Sequence, residues 1–142
     1  MYAPQITLGG ASALLTAAEK KATAIGVKST IVVLDRGGEL VSMARMDGAW
    51  PGAFDVAVGK AQTARSFHAP SATFVPMIQP GEALYSINSV AEGKYVILGG
   101  GLPLEIDGHI VGAVGVSGGT VDQDIAVAEA GLLAFSSSIE RK

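Results

Sequence analysis

The sequence predicts an α/β fold of the α+β kind, built on an antiparallel sheet. Two hairpin signals carry that reading. Asp35-Arg36-Gly37-Gly38-Glu39 and Asp107-Gly108 each join two extended runs, and no strand–helix–strand alternation runs through the chain. Three longer segments place apolar residues at spacings of three and four, which supplies helices to cover the sheet. The expected order is α-β-β-α-β-β-β-α, a five-stranded antiparallel sheet with flanking helices.

The first helix is predicted over 8–25, with Leu14, Leu15, Ala18, Ala22 and Ile25 on one face and Gly26 as its stop. The β-branched run 29–35 reads as a buried strand. Gly37 and Gly38 supply a tight turn, and 40–46 pairs back. Pro51 suits the first turn of a second helix, whose Phe54, Ala57, Val58, Ala61, Ala64 and Phe67 form one face. Its alanines allow close approach to a neighbour. Pro70, Pro76 and Pro80 then predict a loop with short helical turns. A strand is expected over 95–98, a break at Gly99-Gly100-Gly101, and an extended run over 102–106. Asp107-Gly108 is the strongest hairpin signal, because both residues tolerate positive φ. The return strand 109–117 is thinned at Gly112 and Gly115, where a backbone can approach. Thr120 and Gln123 form a capping box at the start of the last helix, with Ile125, Ala128, Leu132, Leu133 and Phe135 as its apolar surface.

Composition narrows the function classes. A chain of 142 residues fits one domain spanning 1–142. With 49% hydrophobic and 16% charged residues it is not disordered. A formal charge of −3 argues against non-specific nucleic-acid binding, which needs clustered cations to displace counterions. The absence of cysteine removes disulfides, thiolate nucleophiles, iron–sulfur clusters and cysteine-based zinc sites together. Two histidines, His68 and His109, do not supply a histidine-rich metal site, so no metal is expected. No apolar run is long enough to span a membrane, and the start lacks a signal-peptide pattern, so the cytoplasm is the expected compartment. Typical domains carry about 25% charged residues. The lower share here predicts a surface buried against other copies, a homo-oligomer.

Several blocks in this order resemble the GlcG/HbpS family, also described as haem-degrading or DUF336-type domains. They are Val32-Val33-Leu34-Asp35-Arg36-Gly37-Gly38, Ala44-Arg45-Met46-Asp47-Gly48-Ala49, Gly59-Lys60-Ala61-Gln62-Thr63-Ala64, Gly99-Gly100-Gly101-Leu102-Pro103 and Gly112-Ala113-Val114-Gly115-Val116-Ser117-Gly118-Gly119. Asp122-Gln123-Asp124 and the helix that follows match too. The resemblance spans nearly the whole chain. It implies a profilin-like fold with a five-stranded antiparallel sheet, and dimers that build into tetramers or octamers. It implies haem as a ligand, although members also include a domain attached to a corrinoid adenosyltransferase and products of genes near glycolate or aromatic-compound catabolism. Family membership therefore fixes fold better than chemistry.

The candidate ligand-binding residues are Arg45, Asp47, Trp50 and Lys60. Arg45 binds a carboxylate through its planar fork, positioned by Asp47, in a pocket closed by Trp50. A structural Arg–Asp pair at the turn is the alternative. Lys60 is a lone cation in an apolar helix, suited to a carboxylate or, if desolvated, to acid/base work; snorkelling or a salt bridge between subunits is the alternative. Lys60 and Asp47 are the candidate catalytic residues. His68 ends the second helix, where the dipole favours a simple terminal imidazole. Its sharper reading is a haem axial ligand. The favoured function is binding of haem or another carboxylate-bearing small molecule. An enzyme or accessory protein acting on an organic acid or aromatic catabolite, and a structural accessory subunit without chemistry, stay open beside it.

Overall fold

The computed structural model describes residues 4–140 as three α-helices, two 3₁₀ segments and four strands. In chain order these are α1 (Leu8–Ala24), β1 (Thr30–Asp35), β2 (Leu40–Arg45), α2 (Ala53–Phe67), the 3₁₀ segments Ser71–Ile78 and Ile87–Gly93, β3 (Gly101–Ile106), β4 (His109–Ser117) and α3 (Val121–Glu140). The strands form one antiparallel sheet in the order β2-β1-β4-β3. No described helix is long and apolar enough to cross a membrane.

Successive residues of a strand point to opposite faces, and the core divides accordingly. Val32 and Leu34 of β1 meet Ala57, Ala61 and Ala64 of α2 on one face, together with Ala113 of β4. Ile31, Val33, Val114 and Val116 face the other way, where α1 and α3 close over them with Leu14, Ala18, Val127, Ala128 and Phe135. Layer spacing on the α2 side is set by small residues. A Cβ at Gly115 would collide with the Ala57 carbonyl, so the glycine is what lets the helix backbone rest on the strand.

The local signals act as the sequence predicts. Gly26 ends α1 with φ +76°. Asp107 and Gly108 take φ of +50° and +79°, the paired positive values of a type I′ hairpin. Asp35 closes the first turn by accepting the amides of Gly37 at 3.0 Å and Glu39 at 2.9 Å. The capping box forms in both directions: Gln123 N–H donates to Thr120 Oγ1 at 3.2 Å, and Thr120 N–H to Gln123 Oε1 at 2.9 Å.

The expected fifth strand does not form, so the sheet has four strands. The segment 95–98 lies on α2 instead. Val96 donates its amide to Thr63 Oγ1 at 3.1 Å and to the Gly59 carbonyl at 3.3 Å, and its carbonyl accepts from the Thr63 hydroxyl at 3.2 Å. Gly59 has no Cβ to keep Val96 away. Backbone groups satisfied by a helix face need no strand partner.

Candidate functional site: clefts at opposite ends of the sheet

Strand register places the sequence-predicted residues. At one end of the sheet Thr30 pairs with both Arg45 and Ser117. At the other end Asp35 pairs with Gly112, beside the two hairpin turns. A six-residue strand separates its ends by about 17 Å. Arg45, Asp47 and Trp50 belong to the first end. His68 belongs to the second, because the C-terminal half of α2 lies on the first hairpin: Gln62 Nε2 donates to the Gly38 carbonyl at 3.0 Å, and Arg65 Nη1 to that of Arg36 at 3.4 Å. The expected set of Arg45, Asp47, Trp50 and Lys60 is therefore only partly brought together.

Lys60 is the member that departs. It is 2% exposed, lines none of the clefts described below, and gives its ammonium to Asp124 Oδ2 and to the Val116 carbonyl, both at 2.9 Å. Asp124 Oδ1 accepts the Gly119 amide at 2.9 Å, so the carboxylate is held from both sides. The triple glycine makes room for this pair. Gly100 adopts φ +125°, and a Cβ there would stand 3.1 Å from both Lys60 Nζ and Asp124 Cβ. A buried ammonium needs a buried carboxylate. Lys60 is thus an internal tie between α2 and α3, set apart from the clefts in which a ligand anchor or base is expected.

At the hairpin end, α2 stops at His68, which takes the left-handed conformation (φ 55°, ψ 39°). That geometry is uncommon for a residue with a Cβ. The exposed His68 lines an open cleft of about 360 Å³ together with Arg36, Arg65, Gly108, His109 and Ile110. The Arg65 guanidinium is held in place by Gln62 Oε1 at 3.0 Å and Ser66 Oγ at 3.2 Å. Next to His68, Phe67 packs on Phe74 and Tyr95, with ring centroids 5.6 and 5.0 Å away. Two imidazoles and two guanidiniums suit an anionic ligand that also accepts a nitrogen donor. Arg36 and Arg65 escape sequence reasoning because only the fold brings them to His68, whereas His109 is a second histidine whose place as an iron ligand or an exposed hairpin residue the sequence leaves open. The common signal is that each lies at or beside a hairpin turn or the helix stop.

At the other end, Arg45 makes no ion pair with Asp47 among the described residues. Its Nε and Nη2 both donate to the Ala49 carbonyl, at 3.3 and 3.0 Å, clamping the turn that carries Trp50. Arg45 and Asp47 line a cleft of about 450 Å³ with Glu19, Thr23 and Lys28. Trp50, 76% exposed, lines an adjoining one. Lys28, common to both clefts, is the member that sequence reasoning missed.

The fold is that of an α+β protein, a four-stranded antiparallel sheet covered by helices on both faces with a cleft at each end. Residues 6–133 match the family described as haem degrading protein HbpS-like, and the chain belongs to that family. It is 41% identical over 131 residues to an uncharacterized 15.0 kDa protein of Citrobacter freundii encoded in the dhaT-dhaS intergenic region, covering 92% of each chain. Among solved structures it is similar to ORFY of Klebsiella pneumoniae, with a TM-score of 0.93 and 39% identity, covering 96% of this chain and 95% of that one. It is also similar to a PduOC:heme complex, with a TM-score of 0.89 and 31% identity, covering 92% of this chain and 95% of that one.

Proposed function

We propose that the protein binds haem, or another carboxylate-bearing small molecule, in the hairpin-end cleft, with His68 as iron ligand and Arg36 and Arg65 against the carboxylates. One observation carries the reading: His68 shares a single open cleft with two guanidiniums and a second imidazole. The donor set fits haem, since neutral imidazole coordinates iron and guanidinium pairs with propionate. A relative solved as a haem complex supports the same ligand. Bound haem would supply iron for redox or oxygen chemistry; the chain's own residues hold it and neutralise its carboxylates.

The test is a haem titration followed by absorbance, run beside His68→Gly. Glycine is the informative replacement because φ 55° suits it, so the fold survives the loss of the imidazole. The expected result is a saturable Soret shift near one haem per subunit in the parent protein and its loss in the variant. Arg36→Ala with Arg65→Ala is expected to weaken binding about tenfold or more, as for lost charge-assisted bonds. An unchanged Soret band in His68→Gly would reject His68 as the ligand. No saturable shift in the parent would reject haem and leave smaller carboxylates to be screened.

The same reading includes self-association, as dimers that build to tetramers or octamers. Leu8 and Leu133 are 64% and 70% exposed, and Ser71 is the only buried residue in the two 3₁₀ segments. Such a surface, poor in charge, favours a second copy of the chain.

A further inference from the structure

The geometry points to a second binding site, independent of the haem reading, for a small aromatic monocarboxylate at the Lys28–Trp50 corner of the molecule. The cleft there has a volume of about 250 Å³. Trp50 supplies an aromatic wall and is 76% exposed, an unusual state for a residue of its size. Gly48, Gly118 and Gly119 line the space with no side chains. Gly48 (φ +84°) and Gly118 (φ +130°) hold conformations that other residues rarely adopt, and the Lys28 side chain lies over Gly48, its Cδ 2.8 Å from where a Cβ would stand. A flat ring can lie against the indole face with its carboxylate toward Lys28.

The charge in the cleft comes from Lys28. Its Nζ lies against Gly48, where a Cβ would stand 3.1 Å away, and it makes no ion pair among the described residues. The start of α3 does not compete for the ligand. The Gly119 amide is taken by Asp124 and the Thr120 amide by Gln123. One cation beside an aromatic wall selects one carboxylate on a ring. Asp47 and Glu19 in the adjoining cleft disfavour a polyanion such as a nucleotide. Arg45 is a positioning residue here. It holds the Ala49 carbonyl, and through it the turn that presents Trp50.

Trp50 is the only tryptophan in the chain, so fluorescence excited at the red edge, where the three tyrosines do not absorb, reports this corner alone. The experiment titrates the full chain with benzoate and, in parallel, with the uncharged benzamide. Saturable quenching by benzoate is expected, with benzamide at least tenfold weaker. Lys28→Gln should weaken benzoate about tenfold, as for a lost charge-assisted bond. Arg45→Gln should shift the Trp50 emission before any ligand is added, which a role confined to ligand charge would not do. His68→Gly should leave the benzoate curve unchanged, so this site and the haem site fail separately. Absence of saturation, equal binding of benzamide, or an unaltered curve in Lys28→Gln would each overturn the proposal.

Discussion

Lys60 shows what a single residue does when its surroundings leave no water. Its ammonium and the Asp124 carboxylate are each almost fully enclosed, and each is satisfied twice. Removing one partner strands the other charge, which costs about 3–5 kcal/mol, whereas replacing both with apolar groups is often close to neutral. Lys60→Met is therefore expected to lower stability by about that amount in urea unfolding. Lys60→Met combined with Asp124→Leu should recover much of the loss. A single variant within about 1 kcal/mol of the parent would show that the pair is not the tie described here. The lone cation in an apolar helix was visible in the sequence, and so was the rule that such a charge needs a partner. The partner was not. In the sequence Asp124 is one of two acidic residues at the start of the last helix, with nothing local to link it to Lys60.

At the scale of elements, signals contained in a few adjacent residues read correctly. The Gly26 stop, the Asp107-Gly108 turn, the Thr120–Gln123 cap and the thin point at Gly115 all depend on local backbone chemistry. The segment 95–98 misled because β-branched residues suit any flat, half-buried surface, and here the surface is α2 rather than a neighbouring strand. The hairpin-end cleft was legible at its two histidines but not at its arginines, since the register of β1 and β4 sets Arg36 near His109 and α2 adds Arg65 from above the first hairpin. The dependence of the α2 layer on Gly115 can be measured. Gly115→Ala drives a methyl into the Ala57 carbonyl, an obstacle that cannot rotate away, and is expected to cost about 1–3 kcal/mol or more. Gly52→Ala, with nothing within 4 Å of the new methyl, serves as the control and should stay within about 0.5 kcal/mol. Equal midpoints for the two variants would contradict the close helix-on-strand contact.

For the molecule as a whole, surface composition is the feature that calls for an assembly. Only 16% of residues are charged, while Leu133, Leu8 and Tyr85 are all more than half exposed. Sedimentation velocity is expected to give a dimer or a multiple of it at micromolar concentration, and Leu133→Asp is expected to shift the distribution toward smaller species. A single protomer species in the parent protein would remove self-association from the reading. The enclosed ion pair also bears on the order of events in folding. Lys60 and Asp124 lie 64 residues apart, and Val116, which shares the ammonium, belongs to β4, between the two in the chain. The pair cannot close until α2, β4 and α3 have all docked. Formation after the folding barrier is the expectation, in which case Lys60→Met speeds unfolding more than it slows folding in stopped-flow kinetics.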